Sequence, residues 1–358
     1  MTPSNARILG RGTPSNPASR FDRLHAVAEA DGWDRPDDED LPPLRTEVAE
    51  ERAGRVLTRN SSPDLSFDRS VNPYRGCEHG CVYCFARPSH AFLGLSPGLD
   101  FETKLTVKPG APAALERELR AKGYAPAPVA IGTNTDPYQP VERDRRVMRA
   151  LLEVLSEFRH PVAVVTKGTL VTRDADILGE MGGAGLARVG ISITTLDAGL
   201  ARSLEPRVPS PANRLRAVEG LAAAGVPVRV CIAPVIPGLT DHEIEGILKA
   251  AAAAGAQAAS LAMLRLPREV AGLFRDWLGA TRPERAARVM ARVREVHGGK
   301  DYDARFGMRL RGQGEYARMI RTRFHVARRR AGLAERLADL RCDLFRVPPR
   351  AGDQLSLF

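Results

Sequence analysis

The chain has 358 residues, of which 43% are apolar, and a formal net charge of +10 at neutral pH. This length and composition can bury a full core, so we expect one domain of about 200 to 250 residues with extensions. No apolar run reaches the roughly 18 residues of a membrane span, and the first residues, MTPSNARILGRG, lack the apolar core of a signal peptide. We therefore expect a cytoplasmic protein.

The positive charge has two interpretations. Cationic surfaces gain affinity for nucleic acid by releasing counterions, so the charge favours an anionic partner. Most of the positive charge is arginine, however, and the chain is also rich in Ala and Gly, a composition that codon bias in a genome of high GC content produces on its own. Charge alone leaves both interpretations open.

The beginning of the chain is predicted to be irregular. Residues 1–60 mix Pro, Ser, Gly and acids, and the run DRPDDEDLPP at Asp34 to Pro43 has no apolar periodicity. A short helix is predicted around Arg45 to Arg55. The core domain, predicted over residues 61–280, then begins with a short strand at Asp68 to Asn72.

The next segment, NPYRGCEHGCVYCFARP from Asn72 to Pro88, contains three of the five cysteines. Cys77, Cys81 and Cys84 have the spacing C-x-x-x-C-x-x-C. Three thiolates do not complete a tetrahedral zinc site, which needs four ligands, but they can hold three corners of a four-iron cluster and leave one iron open for chemistry. The alternatives are a zinc knuckle with a remote fourth ligand such as Cys231, and three cysteines that lie together by chance. Clustered thiols also suit a reducing compartment.

After this loop, the segment from Leu93 to Pro109 is predicted to be a loop that lies over the site. Apolar runs then alternate with amphipathic stretches, which predicts βαβ units and a parallel sheet. The predicted strands are Val129 to Gly132, Val162 to Thr166, Val189 to Ile193, Val228 to Ala233 and Ala259 to Arg265. The predicted helices are Ala113 to Lys122, Arg143 to Phe158, Asp174 to Met181, Pro211 to Ala224, Asp241 to Ala254 and Arg268 to Leu278.

Polar residues follow these strands directly. Thr133 to Asp136 follows the first of the five, Lys167 the second, Thr194 to Asp197 the third, and Pro234 to Gly238 the fourth. In a barrel of parallel strands the carboxyl ends form the active-site face. We therefore expect the site at these strand ends.

Residues 281–347 are predicted to form a basic helical extension. Between Arg282 and Arg330 there are fifteen Lys or Arg residues against five acids, on helical stretches from Pro283 to Val296 and from Glu315 to Ala331. Such a surface either faces DNA or is a solvated wrap around an open barrel. Residues 348–358 are predicted to be a flexible tail.

The cysteine spacing, with the aromatic Tyr83 just before the last cysteine, resembles the cluster loop of the radical S-adenosylmethionine (radical SAM) superfamily. The resemblance implies a partial (β/α)6 TIM-like barrel of parallel strands. It also implies a [4Fe–4S] cluster on Cys77, Cys81 and Cys84, SAM bound at the open iron, and cleavage of SAM to a 5′-deoxyadenosyl radical that abstracts hydrogen from a substrate. A reduced flavodoxin or ferredoxin-type electron donor is the implied partner, and Tyr83 the implied catalytic residue.

Further segments resemble the spore photoproduct lyase branch of that superfamily, over roughly residues 68–280. They are Val165-Thr166-Lys167, Gly190 to Thr194 with Leu204-Glu205-Pro206 and Arg214, Ala233 to Gly238, and Thr135 to Pro140 with Glu142. The residues that the resemblance assigns to SAM binding are Asn134, Thr135, Asp136, Lys167, Ser192, Thr194, Arg214, Ala233, Val235 and Ile236. The alternatives are a solvated charge for Lys167, a small core residue for Ser192 and a turn that caps the next helix for Asp136.

The chain also departs from that branch. The lyase is thought to return hydrogen through a cysteine and paired tyrosines, and here Thr133 stands in place of the cysteine and Phe85 in place of the second tyrosine. A strict thymine-dimer lyase is therefore doubtful. Cys231 and Tyr138 are alternative hydrogen donors, although a free cysteine such as Cys231 more commonly packs as a small hydrophobe.

The last five residues, Gln354, Leu355, Ser356, Leu357 and Phe358, resemble the peptide with which bacterial repair proteins bind the sliding clamp. A glutamine makes polar contacts while leucine and phenylalanine fill an apolar pocket. The alternative is a tail that covers apolar surface of the chain itself.

Together these features favour a radical SAM enzyme that abstracts hydrogen from nucleic acid, with DNA repair or modification as the preferred role. One rival is a radical enzyme that acts on a small molecule or a protein. Another is a non-catalytic iron–sulfur adaptor or redox sensor that is recruited to the clamp.

Overall fold

A sheet of parallel strands lies at the centre of the computed structural model, which describes residues 10–21 and 44–349. The described strands are β1 Glu47–Glu50, β2 Thr58–Arg59, β3 Arg69–Val71, β4 Tyr74–Arg75, β5 Lys104–Val107, β6 Val129–Ile131, β7 Val162–Thr166, β8 Ala187–Ser192, β9 Val228–Val235 and β10 Ala258–Met263. The larger sheet has the order β10-β9-β8-β7-β6-β3-β2, in which only the edge strand β2 is antiparallel. Its six parallel strands follow chain order, which confirms the predicted α/β partial barrel.

The described residues form eleven α-helices, several of which cover one face of this sheet. They are α1 Asp100–Thr103, α2 Ala111–Leu119, α3 Glu142–Arg145, α4 Val147–Glu157, α5 Ala175–Gly183, α6 Ala198–Leu204, α7 Pro211–Ala223, α8 Ile244–Ala253, α9 Glu269–Thr281, α10 Pro283–Val296 and α11 Gly314–Arg330. Short 3-10 helices span Arg87–Leu93, Thr169–Asp174 and Asp241–Glu243. Among the helices described, none combines the length and the apolar character that crossing a bilayer requires.

Strand alternation decides what faces the helices and what faces the barrel interior. Val164, Val189 and Val228 are fully buried in the core that the helices cover, and burying one such side chain contributes about 1.5 to 3 kcal/mol. Some of the alternate positions carry small residues, among them Gly190 and Cys231. A Cβ on Gly190 would lie 3.2 Å from the Cys231 sulfur, so the interior between β8 and β9 is already closely filled.

Two predictions for the segments around the cysteines were wrong. The stretch predicted as a helix around Arg45 to Arg55 contains strand β1, which pairs with β5 in parallel, with Val48 opposite Leu105. The stretch predicted as a loop from Leu93 to Pro109 contains α1 and β5. Pairing between distant segments overrides the weak local preference of each, because a strand is stabilised by its neighbour.

Helix boundaries also differ from the predictions. The helix predicted from Arg143 to Phe158 is two helices, because Arg146 between them adopts a left-handed conformation with φ 51°. Helix α6 was missed. Its signal is present in the sequence, since Asp197 is a standard N-cap whose carboxylate accepts hydrogen bonds from the backbone N–H groups of Gly199 and Leu200 at 2.8 and 3.0 Å.

The segment after α11 crosses the amino ends of the barrel strands. Ala334 bridges to Ala258 at the start of β10, and the Arg346 N–H donates to the Phe158 carbonyl at 3.0 Å. The Phe345 ring packs against Tyr124 and His160, with centroid distances of 5.5 and 5.6 Å. This C-terminal strap, residues 333–348, closes the barrel at the end opposite the predicted site.

His160, beneath the strap, is expected to make stability depend on pH. The ring is fully buried, Nε2 lies 2.7 Å from the Tyr124 hydroxyl, and burial together with the positive charge of Arg69 lowers the pKa of His160 to about 4. The folded state therefore prefers the neutral ring, and the unfolded chain takes up the proton first as pH falls below about 6.5. The stabilisation is present above that pH and is lost as pH falls towards 4, with about 2 kcal/mol lost between about pH 7 and about pH 5.

Urea unfolding of the wild type and of His160→Gln at both pH values measures this contribution. The variant should lose less stability on acidification than the wild type by about 2 kcal/mol. The exposed His242, changed to Gln, is the matched control and should follow the wild type. Parallel pH profiles for the wild type and His160→Gln would contradict the expectation.

Candidate active site

The cysteine loop follows β4 and is shaped by two glycines in the left-handed region. Gly76 has φ 75° and Gly80 φ 66°. A Cβ on Gly76 would lie 2.7 Å from a Leu105 methyl carbon, so a larger residue does not fit there. The turn is closed by the Cys84 N–H, which donates to the Cys81 carbonyl at 3.2 Å. The loop thus presents its cysteines from a tight backbone.

The three cysteines of the loop have the properties of cluster ligands. All are free thiols, with Cys77 and Cys81 buried and Cys84 half-buried. Burial raises the pKa of Cys77 and Cys81, and a negative charge on a neighbouring cysteine raises it further, so the sulfurs lie in one electrostatic environment. Thiols of this kind ionise when metal cations supply the compensating charge. The set fits a group that brings several iron cations.

The zinc alternative requires a fourth ligand that reaches the cysteine loop from elsewhere in the chain. Cys231, the suggested fourth ligand, lies on β9 and packs against Gly190 of β8. The predicted core-packing role of Cys231 agrees with this position.

A buried ion pair supports the cysteine loop. Arg87 donates from Nε to the Cys81 carbonyl at 3.0 Å and from Nη2 to Glu102 Oε1 at 2.5 Å. Its Nη1 donates to the carbonyls of Pro97 and Gly98. Both charged side chains are fully buried, and removing one partner of such a pair costs about 3 to 5 kcal/mol. The loop therefore depends on a pair that sequence reasoning did not single out.

Residues 10–21, which belong to the predicted irregular arm, pack onto this pair. The Gly12 N–H donates to Glu102 Oε2 at 2.8 Å, and the Thr13 hydroxyl to Oε1 at 3.1 Å. Arg11 donates to the Glu102 carbonyl at 2.9 Å. Gly12 also lies against Gly80, so closely that a Cβ on Gly12 would overlap the Gly80 carbonyl oxygen. This N-terminal segment is thus part of the wall behind the cysteine loop.

Three predicted residues from different strand ends meet near Tyr83. Lys167, after β7, donates from Nζ to the Ala233 carbonyl of β9 at 3.1 Å and lies 5.9 Å from the centre of the Tyr83 ring. Thr194, after β8, has its hydroxyl 3.2 Å from the Tyr83 hydroxyl. The carboxyl ends of the strands therefore converge on the cysteine loop, as the barrel predicts.

Glu205 is the centre of this network. Its buried carboxylate accepts hydrogen bonds from the Tyr83 hydroxyl, from Thr194 at 2.8 Å and from Arg214 Nη2 at 2.7 Å. Burial by itself would raise the pKa of Glu205, but the positive charges of Arg214 and Lys167 outweigh it and lower the pKa. Burial, followed by the charge of Glu205, raises the pKa of Tyr83 well above its usual value. Tyr83 is therefore a neutral phenol that donates to a carboxylate.

Glu205 belongs to the Leu-Glu-Pro segment and is not among the predicted site residues. A glutamate after a helix is normally exposed, and nothing local signals its burial. Arg214, which was predicted, makes its remaining described bond from Nη1 to the Ser192 carbonyl at 3.0 Å. Arg214 therefore orders the end of β8 and the carboxylate together, while Ser192 itself is buried at that strand end.

Asp136 joins three segments at the edge of the site. Its carboxylate accepts from the Thr166 hydroxyl at 2.5 Å and from the Lys167 N–H at 2.7 Å, and lies 3.3 Å from His79 Nδ1. Burial would raise the pKa of Asp136, but the charge and hydrogen bond of His79 and the bonds from Lys167 and Thr166 lower it to about 2. His79, inside the cysteine loop, was missed because a single histidine carries no positional signal.

The neighbouring predicted residues also contact the cysteine segment. Thr135 donates from its hydroxyl to the Gly76 carbonyl at 2.6 Å. Asn134 is exposed and donates its backbone N–H to Asn72 at 3.1 Å. The Thr133 hydroxyl lies 3.3 Å from the Asn72 amide nitrogen. The loop after β6 is therefore fastened to the segment that carries the cysteines.

The predicted SAM-binding residues Val235 and Ile236 lie in two different environments. Ile236 packs in the same buried cluster as Cys81 and Tyr83, whereas Val235 belongs to the core beneath the helices. The Val235 carbonyl accepts from the Leu264 N–H at 2.9 Å. Ile236 is thus the member of the pair that lies beside the cysteine loop.

The two residues weighed as alternative hydrogen donors lie away from solvent. Tyr138 is buried and donates from its hydroxyl to Asp174 at 3.0 Å. Cys231 is buried between β8 and β10. Phe85, in contrast, is 45% exposed beside Cys84.

A basic pocket opens beside the cysteine loop. Its lining includes His79 and three arginines, Arg143, Arg173 and Arg207. Arg207 contacts Glu78 of the loop at 3.2 Å. Arg173 is also paired, with Glu142 and Asp174. Arg143 is therefore the arginine of this lining that has no carboxylate partner among the described residues and is open to an anionic group.

Comparison with known proteins agrees with this site. A family model described as the radical SAM superfamily matches residues 71–251. An uncharacterized protein of Mycobacterium tuberculosis is 38% identical over 235 residues, which are 65% of this chain and 68% of that protein. An uncharacterized protein of Methanocaldococcus jannaschii is 26% identical over 200 residues, 56% of this chain and 71% of that one.

Solved structures share the fold. A mutant of spore photoproduct lyase superposes with a TM-score of 0.58 at 16% identity, covering 80% of each chain. A second mutant of that lyase, with bound AdoMet and dinucleoside spore photoproduct, gives 0.56 at 15% identity and the same coverage. The family match, the buried cysteine loop and the barrel lead to one conclusion: this chain belongs to the radical SAM superfamily and is an enzyme of the kind that uses a [4Fe–4S] cluster and SAM.

Proposed function

We propose that this enzyme abstracts a hydrogen atom from a nucleic-acid substrate, with DNA repair or modification as its role in a reducing cytoplasm. The observation that carries the proposal is the convergence of the cysteine loop with Lys167, Thr194 and Tyr83 at the carboxyl ends of the strands. A substrate that reaches this site must have a charge opposite to that of the protein surface around it. The net charge of +10 and the arginine-lined pocket beside the cysteine loop favour an anionic substrate.

In this proposal Cys77, Cys81 and Cys84 hold the cluster, and residues of the strand ends hold SAM. When bound, the cluster and SAM supply a carbon radical that abstracts hydrogen. The Lys167 ammonium has three N–H donors and one described acceptor, the Ala233 carbonyl, so it is free to bind a carboxylate of an anionic ligand.

The other predicted SAM-binding residues divide by their contacts. Asp136 accepts hydrogen bonds from Thr166 and Lys167, and Arg214 donates from its two Nη atoms to Ser192 and Glu205, so we assign both to positioning of Lys167 and Glu205. Glu205 keeps the Tyr83 hydroxyl oriented and protonated. Val235 packs in the core beneath the helices, so the residues left for direct contact with SAM are Asn134, Thr135, Lys167, Ser192, Thr194, Ala233 and Ile236.

The choice of DNA rests on charge and on fold likeness together. One structure of the lyase that shares the fold holds dinucleoside spore photoproduct, but a likeness at 15% identity carries the fold alone. Thr133 and Phe85 differ from the hydrogen-returning residues of the lyase, so we propose a related reaction on nucleic acid rather than the same one. A reduced flavodoxin or ferredoxin is the proposed electron donor.

The first test of this proposal is the yield of 5′-deoxyadenosine from anaerobically reconstituted, reduced protein given SAM. We expect formation by the wild type, a rise in yield when DNA is added, and loss of at least ten-fold in Cys81→Ala, since one cluster corner is then missing. Cys342→Ala, in the C-terminal strap, is the matched control and should behave as the wild type.

The possible results separate the rivals. A yield that DNA leaves unchanged would favour a small molecule or a protein as substrate. No product from a fully loaded cluster would favour the adaptor or sensor alternative.

The wall formed by the N-terminal segment gives a second expectation. Gly12→Ala should speed loss of iron to a chelator several-fold, because the new methyl group displaces the segment from Gly80. The rate is measured as decay of the visible absorbance of the cluster under anaerobic conditions. Gly54→Ala is the control, since a Cβ there meets nothing within 4 Å. Equal rates in the two variants would contradict a role of this contact in holding the loop.

The clamp peptide, Gln354, Leu355, Leu357 and Phe358, lies outside the described residues, and we keep it as a proposal. Replacing Leu357 and Phe358 together by Ala should abolish co-elution with purified bacterial sliding clamp, because both apolar anchors are lost. Ser356→Ala, between the anchors, should bind as the wild type. Co-elution of the double variant at wild-type level would refute the proposal.

A further inference from the structure

Two exposed aromatic rings with arginines over them lie at the carboxyl end of the barrel. Phe85, which follows Cys84 directly, is 45% exposed, and Cζ of Arg265 lies 3.9 Å from its ring centroid. Phe306 is 58% exposed, and Cζ of Arg309 lies 4.7 Å from its ring centroid. We call these four residues the aromatic rim.

The rim is held beside the site by the end of β10. Arg265 follows that strand by two residues, and the Met263 N–H donates to the Leu310 carbonyl at 2.9 Å. Arg309 donates from Nε to Asp64 at 2.6 Å, which fixes the loop that carries Phe306. Both rings are therefore presented by anchored backbone.

Arg265 is a cation without a counterion. In the part of the chain that the structure describes, no carboxylate lies within ion-pair distance of its guanidinium and no hydrogen bond satisfies it. The nearby carboxylate of Asp64 is already bonded to Arg309 and to the Gly307 N–H. Burial is the main cause that lowers the pKa of Arg265, and the charge of Arg309 lowers it further. A half-buried guanidinium in this state favours an anion such as a phosphate.

Aromatic faces and an unpaired guanidinium together match single-stranded nucleic acid. Bases stack on exposed aromatic rings, arginine adds cation–π attraction, and the phosphates pair with the guanidinium. In an intact duplex the faces of the bases are covered by their neighbours, so such a surface selects nucleotides that are unpaired.

We propose that the aromatic rim binds an unpaired stretch of DNA, with bases stacked on Phe85 and Phe306 and a phosphate at Arg265, and so presents a nucleotide to the site beside Cys84. This inference rests on the proposed function, in which the substrate is nucleic acid. It adds that the substrate is bound in single-stranded or locally opened form.

Fluorescence anisotropy of the reconstituted enzyme with a labelled single-stranded oligonucleotide, and with the same sequence as a duplex, tests the proposal. We expect the single strand to bind at least ten-fold more tightly than the duplex. Phe85→Leu and Phe306→Leu should each weaken single-strand binding about ten-fold, because leucine keeps apolar bulk but offers no flat ring. Arg265→Gln should weaken it and reduce the slope of affinity against salt concentration by about one phosphate contact.

Matched controls lie elsewhere on the surface. Phe92 is 72% exposed and has the Arg20 guanidinium over its ring instead of Arg265, and Phe92→Leu should bind as the wild type. Arg288→Gln, on the exposed face of α10, makes the same charge change away from the rim. Wild-type iron content in every variant shows that the cysteine loop is intact.

The outcomes separate this inference from the proposed function. A wild type that binds neither form of DNA, together with product formation that DNA does not change, overturns both. Binding to duplex as tight as to single strand, or rim variants that bind like the controls, overturns the rim alone. Rim variants that lose affinity for RNA or for a peptide but keep affinity for DNA also overturn it.

Discussion

Two buried carboxylates hold the cysteine loop, and the rest of the site depends on them. Glu102 ties Arg87, and through it the Cys81 carbonyl, to the N-terminal segment. Glu205 ties Tyr83 to the end of β8 through Thr194 and to helix α7 through Arg214. A charge in the protein interior is tolerated only when it is paired and hydrogen-bonded, so each carboxylate forces several segments to meet at one point. Each of the two carboxylates is paired with a buried arginine. Removing one member of a pair would leave the other charge buried and unpaired, and this cost holds the loop in place.

This constraint explains how a barrel of short strands presents an ordered site. The strands supply a closely packed frame, in which small residues such as Gly190 and Cys231 face the interior and valines face the helices. Residues just beyond the strand ends are free to carry polar groups, since the hydrogen-bonded ladder has ended there. The C-terminal strap closes the opposite end, so that both the catalytic and the supporting ends of the barrel are covered by segments distant in sequence. The enzyme therefore combines a local motif with supports from both termini.

Within the site, charge is arranged so that each group has one protonation state. Tyr83 stays neutral against an ionised Glu205, and Asp136 stays ionised against His79 and the Lys167 backbone. Lys167 is the cation that keeps donors available for a ligand. The outer boundary of the site differs. Arg265 has no counterion among the described residues, and the rings of Phe85 and Phe306 are partly exposed to solvent. The buried residues around Tyr83 and Asp136 hold one another in place, while the exposed residues at the boundary are available to a substrate.

The sequence by itself determined the features that depend on residues close together in the chain. The spacing of Cys77, Cys81 and Cys84 predicts a ligand set, because residues on one short loop need no tertiary information to be recognised as a set. Strong apolar periodicity located the six parallel strands and predicted Lys167 and Thr194 at their ends, because alternation of buried and polar positions is written in each strand. Only the tertiary structure decided the rest. That Glu47–Glu50 is a strand, that Gly12 lies against Gly80, that Glu205 and Glu102 are buried, and that Arg265 stacks on Phe85 all follow from contacts between residues far apart in the chain. Such contacts are stabilised by the packing of whole helices and strands against one another, and the local propensities of a short stretch of sequence do not predict them.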